Sequence, residues 1–177
     1  MSELRVGVDL GGTKIEAVVV RLGGEGPDVV ARERIATARE EGYEAVLART
    51  AALVRDVARA AGLRDLPKVG VGMPGSVTWR GPEGVRAAEP LVKNSNTTCL
   101  NGRPFRGDLA RALGGDVAFA NDANCFALAE ATWGAAREAR VAFGVILGTG
   151  VGGGVVLREG GVARAWDGAP GIAGEWG

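Results

Sequence analysis

The chain has 177 residues, enough for one domain, or for one domain and part of a second. Hydrophobic residues make up 46% and charged residues 24%, which fits a globular core and excludes the disordered class. Lys plus Arg and Asp plus Glu both number 21, so no global field draws the chain to nucleic acid or to an anionic membrane, and with no histidine a Cys/His metal site within it is impossible.

In chain order, residues 4–9 form a short β-branched run that stops at Gly11-Gly12. Residues 15–22 are a second such run and residues 29–37 a loosely alternating third, together predicting an antiparallel meander. Over residues 43–61 the period changes: Val46, Thr50, Leu53, Val54, Val57 and Ala61 recur at helical spacing, and Gly62 closes the segment. Residues 68–73 read as a buried strand ending at Pro74-Gly75, and residues 78–103 show no clear period and are expected to be a long loop. A helix over 105–113, a strand over 116–120 and a helix over 122–136 follow, the last capped by Asn121 or Asp122. Strands over 141–147 and 154–157 flank a glycine turn and open a new sheet. The strand–glycine–strand units at 6–20 and 141–157 resemble each other, the mark of an internally duplicated fold.

The chain begins Met-Ser-Glu-Leu-Arg and runs directly into a strand pattern, so no targeting segment is read and a cytoplasmic location is expected. The uncharged stretch 141–157 falls short of the roughly 20 apolar residues of a membrane span and carries six glycines. Cys99 and Cys125 lie far apart with no C-x-x-C, and no disulfide is expected.

Thirty glycines are more than twice the ordinary share of roughly 7%. They gather at Gly11-Gly12, at 148–154 and at 168–177. Such clusters suit either tight turns or backbone brought close to a ligand. In Asp9-Leu10-Gly11-Gly12-Thr13-Lys14 the glycines can present N–H groups to a phosphate, and Asp9 could hold Mg²⁺ through water. This is not a Walker A loop, because Thr13-Lys14 leads into a strand. Gly148, Gly150 and Gly153 form a G-x-G-x-x-G, but a strand follows where a dinucleotide site needs a helix. The turn with Thr149 still suits a phosphate clamp. Asn121-Asp122-Ala123-Asn124, at a strand–helix join, is either a helix cap or a place where Asp122 takes a proton from a hydroxyl. Glu175, in the glycine-rich tail beside Trp176, is either a surface residue or an acceptor for sugar hydroxyls.

V-G-V-D-L-G-G-T-K, V-G-M-P-G, N-D-A-N, L-G-T-G-V-G-G-G and A-G-E-W-G occur in that order from residue 6 to residue 177. With these motifs the chain resembles the ROK family (repressors, open reading frames and kinases), a branch of the actin/hexokinase-like ATPases. The run 92–102 resembles the sugar-side segment of its fructokinase/mannokinase members. The resemblance implies an α/β fold of ribonuclease H-like type, a mixed sheet with helices on its faces. It implies a small domain over residues 1–133 and the start of a larger, incomplete one over 134–177. It further implies an ATP- and Mg²⁺-dependent hexose kinase acting on fructose or mannose, the alternatives being a glucose or N-acetylhexosamine kinase or a non-catalytic sugar-sensing binding protein.

In that reading Asp9, Gly11, Gly12, Thr13 and Lys14 form the first phosphate loop, and Gly148, Thr149, Gly150 and Gly152 belong to the second. Asp122 is the catalytic base, Asn121 and Glu175 bind sugar hydroxyls, and Gly75 with Asn94 or Asn96 lines the sugar pocket. The family pattern continues past G-E-W-G with a sugar-binding histidine, a Cys-rich zinc motif and adenosine-binding helices. Zn²⁺ is therefore expected only beyond these residues, and the chain alone is expected to be inactive. A homodimer is the expected assembly of the complete protein. The family's repressors carry a helix-turn-helix before the first phosphate loop, and only eight residues precede Asp9. No nucleic-acid or membrane partner is expected.

Overall fold

The computed structural model describes residues 3–23, 26–81, 84–147 and 151–165. β1 (Glu3–Leu10) and β2 (Lys14–Leu22) are antiparallel, and β3 (Asp28–Ala36) continues the meander beside β2. Their period-2 alternation sends Val6, Val8 and Leu10 of β1 and Ile15, Ala17 and Val19 of β2 to one buried face. β4 (Val69–Met73) runs parallel to β1, and β7 (Val117–Asn121) runs parallel to β4. The sheet order is β3-β2-β1-β4-β7.

α1 (Tyr43–Ala60) and α2 (Phe105–Leu113) provide the long crossovers that parallel neighbours require. Val46, Leu53, Val54 and Val57 of α1 and Phe105 and Leu109 of α2 join the buried sheet residues in one core. Phe105 meets Tyr43 and Phe119 edge to face, with ring centroids 6.0 and 5.8 Å apart. Gly114 ends α2 in the left-handed conformation that a C-terminal glycine permits.

Three sequence expectations need correction. The expected loop over 78–103 contains a hairpin of β5 (Ser76–Arg80) and β6 (Arg86–Lys93), followed by a 3₁₀ turn at Thr98–Leu100. Val77 and Trp79 of β5 are exposed, β6 has only Val92 buried, and a register shift between Thr78 and Arg80 breaks the alternation. The Arg86 guanidinium lies 5.3 Å from the Trp79 ring centroid, while Val92 and Leu100 turn inward to the core. α3 runs from Asp122 to Trp133 and stops at Gly134, short of the expected 136.

The third correction concerns the glycine run. β8 (Val141–Leu147) pairs with β9 (Val151–Glu159), and β10 (Val162–Ala165) completes a second sheet of order β10-β9-β8. Gly152 and Gly153 therefore lie with Gly154 in a strand, which begins at Val151 and not at the expected 154. α3 packs on this sheet through Ala127, Ala131 and Val156. A Cβ on Gly154 would stand 2.5 Å from the Ala123 carbonyl oxygen, and one on Gly144 would stand 2.9 Å from the Ala127 Cβ. Close approach of helix and sheet is what these two glycines permit.

Among the described residues, no helix is long and apolar enough to cross a membrane.

Candidate active site

The carboxyl ends of the three parallel strands β1, β4 and β7 carry the chemistry-bearing motifs, where open α/β sheets place ligands. The first, after β1, is the Gly11–Thr13 turn. The Gly11 N–H donates to the Lys14 carbonyl at 3.0 Å. Thr37, fully buried just beyond β3, donates its hydroxyl to the Gly11 carbonyl at 2.7 Å and its N–H to the Thr13 carbonyl at 3.0 Å. Thr13 and Lys14 are exposed.

After β4 comes Pro74-Gly75. Gly75 has φ 85, and a Cβ there would stand 2.6 Å from the Lys93 carbonyl oxygen and 2.8 Å from the Ser95 nitrogen. Only glycine permits both that dihedral and that approach. The turn it touches is held by Asn101, whose Oδ1 accepts the Ser95 N–H at 2.9 Å and whose Nδ2 donates to the Ser95 carbonyl at 3.0 Å. Asn94 adopts φ 57 there, a conformation Asn tolerates better than most residues.

After β7, Asn121 settles the choice of cap. Its Oδ1 accepts the N–H groups of Ala123 and Asn124 at 3.0 and 3.3 Å, and its Nδ2 donates to the Gly75 carbonyl at 2.9 Å. Asp122 opens α3, its Oδ1 accepting the Ala123 N–H at 2.8 Å.

Asp9 and Asp122 line one cleft of about 820 Å³ between the uncovered face of the five-stranded sheet and α3. Glu16, opposite Asp9 in the β1–β2 pairing, shares it. Burial, then the nearby charges of Asp122 and Glu16, holds the Asp9 carboxyl above the usual carboxylate range. Burial also raises the Cys125 thiol, with Asp122 and Asp9 adding to it. Both cysteines are free.

The predicted residues thus fall into two linked groups. Asp9 and Asp122 face each other across the cleft, and Gly75, Asn121 and the 94–96 turn are tied together beside it. Gly152 joins them from the second sheet, since a Cβ on it would stand 3.6 Å from the Ala123 Cβ. Gly148, Thr149, Gly150 and Glu175 lie outside the described residues. Sequence reasoning missed Thr37, Arg39 and Glu16. No local motif marks the first two, and only strand pairing brings Glu16 to Asp9.

The ROK family model matches residues 5–177. The chain belongs to the ROK family. An N-acetyl-D-glucosamine kinase of Pectobacterium atrosepticum is 39% identical over 171 residues, covering 97% of this chain and 50% of that kinase. The ROK hexokinase of Thermus thermophilus superposes with a TM-score of 0.72 at 33% identity, over 99% of this chain and 52% of its own. The ROK glucokinase of Streptomyces griseus, solved with glucose and AMPPNP, gives 0.75 at 29% identity over 97% and 49%. This ROK chain spans about half the length of the curated relatives it matches. Its mixed sheet and helices have the actin-like fold of the ROK hexokinases.

Proposed function

We propose that the chain supplies the first half of an ATP-dependent hexose kinase acting on a primary hydroxyl. The observation that carries this reading is the convergence of Asp9, Gly75, Asn121 and Asp122 at the carboxyl ends of β1, β4 and β7. Asp122 would accept the proton of the sugar hydroxyl as its oxygen attacks the γ-phosphorus and ADP leaves. The α3 cap and the Asn121–Gly75 bond hold Asp122 at a fixed place relative to the 94–96 turn. Asn121 would offer its side-chain amide to the sugar, with Glu175, Gly75 and Asn96 completing that side. Gly11, Gly12, Thr13 and Lys14, with Gly148, Thr149, Gly150 and Gly152, would face the nucleotide phosphates. Residues 1–133 would form the first domain and 134–177 the start of the second, with α3, packed on the second sheet, as the element joining them.

Among the described residues no group of three or more His, Cys, Asp or Glu side chains could ligate a metal. Asp9 offers a single carboxylate, which suits Mg²⁺ held mostly by water and phosphate oxygens. Bound there, Mg²⁺ would offset the charge of the ATP phosphates.

The likeness of the 92–102 run to fructokinases points to fructose or mannose. Two observations weigh against it. Asn101 and Ser95, which carry part of that likeness, serve the fold of the turn. The kinase 39% identical to this chain acts on N-acetyl-D-glucosamine. The substrate proposed is therefore an N-acetylhexosamine, or glucose as the second choice.

The test is a fusion of this chain, at Gly177, to the second half of the Pectobacterium kinase, assayed for ADP release with N-acetylglucosamine, glucose, mannose and fructose. The fusion should prefer N-acetylglucosamine, the 177-residue chain alone should not turn over, and Asp122→Asn should lower kcat by ~10²–10⁴. Full kcat in Asp122→Asn would return Asp122 to the role of a helix residue only.

A further inference from the structure

The segment 37–39 touches both sides of the candidate site although no motif marks it. Thr37 grips the Gly11–Thr13 turn by two hydrogen bonds, from its hydroxyl to the Gly11 carbonyl and from its N–H to the Thr13 carbonyl. Ala38 then adopts φ 51 and ψ 47, left-handed backbone that a residue with a Cβ seldom takes. That reversal sends Arg39 back over the same turn. Its Nη1 donates to the Asn96 carbonyl at 3.2 Å. A Cβ on Gly12 would stand 3.4 Å from Arg39 Nη1, 3.6 Å from Asn96 Oδ1 and 3.8 Å from Thr97 Oγ1. Gly12, Arg39 and the Asn96 and Thr97 side chains therefore meet at one point.

We propose that residues 37–39 are a positioning strap that joins the phosphate-side Gly11–Thr13 turn to the sugar-side 94–97 turn, so that ordering one orders the other. The strap touches no reacting atom. Its naming of a phosphate side and a sugar side rests on the kinase reading, but the mechanical link does not. Left-handed backbone at Ala38 is strain of the kind retained where surrounding contacts over-determine it. Here those contacts are Thr37 on one flank and Arg39 on the other. Without the Thr37 hydroxyl the Gly11 carbonyl loses its buried partner, and without Arg39 the Asn96 carbonyl loses its bond to the strap.

The link is tested first in this chain itself, by amide hydrogen exchange resolved to residues 11–14 and 94–97. Arg39→Ala should speed exchange in both segments by about fivefold to tenfold, the loss expected for one exposed hydrogen bond of ordinary strength. Thr37→Val should speed exchange at 11–14 and, through the strap, at 94–97, and Thr37→Ser, which keeps the hydroxyl, should restore both. Exchange that is unchanged in Arg39→Ala, or faster at one segment alone, overturns the strap.

The same variants in the fusion kinase then separate the strap from general stability. Thr37→Val should raise the ATP KM about fivefold and, through the strap, the sugar KM as well, and Thr37→Ser should reverse both. Arg39→Ala should raise both KM values. A fusion with no kinase activity would sink the kinase reading and leave the exchange result to decide the strap. An active fusion in which Arg39→Ala leaves both KM values unchanged would sink the strap and spare the kinase.

Discussion

Asp9 sits opposite Glu16 in the β1–β2 ladder and across the cleft from Asp122, so three carboxylates share a partly desolvated space. Burial first, and these neighbours second, make its charged form unfavourable. The folded state then binds the Asp9 proton more tightly than the unfolded chain does. Stability contributed by this group is therefore present at low pH and lost as pH rises from about 3.9, the unperturbed Asp value, through the raised one. Asp9→Asn should raise the melting temperature at neutral pH, and the difference should vanish below about pH 4. Thermal melts of both proteins across that range check it, and an Asn variant less stable at pH 7 would reverse the sign argued here. With the Asn variant the more stable at pH 7, Asp9 is a residue whose retention costs stability, as expected where a charge is held for a phosphate or a cation.

At the scale of elements, α3 has two partners. Its first turn is tied by Asn121 to Gly75 at the end of β4, while Ala127 and Ala131 lie against Val156 of the second sheet. The helix reaches that sheet closely because β9 and β8 carry Gly154 and Gly144 beneath it. Gly154→Ala would push a methyl against the Ala123 carbonyl, where the helix backbone cannot yield as a side chain would. Overpacking of this kind typically costs about 1–3 kcal/mol, so the chemical-denaturation midpoint should fall clearly. Gly152→Ala, whose Cβ would meet only the Ala123 Cβ at 3.6 Å, should be close to neutral by the same measurement. Equal effects at the two positions would show that the helix does not set the glycine requirement.

Over the whole molecule, the two sheets differ in how well they are covered. The five-stranded sheet has α1 and α2 on one face, and that core contains the largest buried side chains. Among the described residues, the second sheet has α3 on one face only. On the other, Val141, Phe143, Val145 and Leu147 project from β8, with exposures of 64%, 60%, 45% and 79%. β8 is also an edge strand, with no charge or proline to guard it. An apolar row beside an unguarded edge favours association. The chain should sediment as a concentration-dependent mixture, and Phe143→Lys should shift it toward monomer. A single monomeric species at all concentrations would mean that this face is satisfied within the chain.

The sequence alone determined the meander, α1, α2, both parallel strands and the opening of a second sheet, because each has a strong local period or a clear stop. It also carried the family, since V-G-V-D-L-G-G-T-K and N-D-A-N stand intact within single strand–turn segments. The β5–β6 hairpin was not legible, because two exposed strands with an irregular register leave no apolar alternation to read. Nor could Gly152 be told from a turn glycine, since it lies against Ala123 of α3, a partner some 30 residues away in the chain. Thr37 and Arg39 read as the end of one strand and an ordinary charge until pairing brought them over Gly11 and Gly12. Local periodicity writes an element into its own residues. Close approach, capping of one element by another and shared desolvation of carboxylates exist only between elements, so only the tertiary structure decided them.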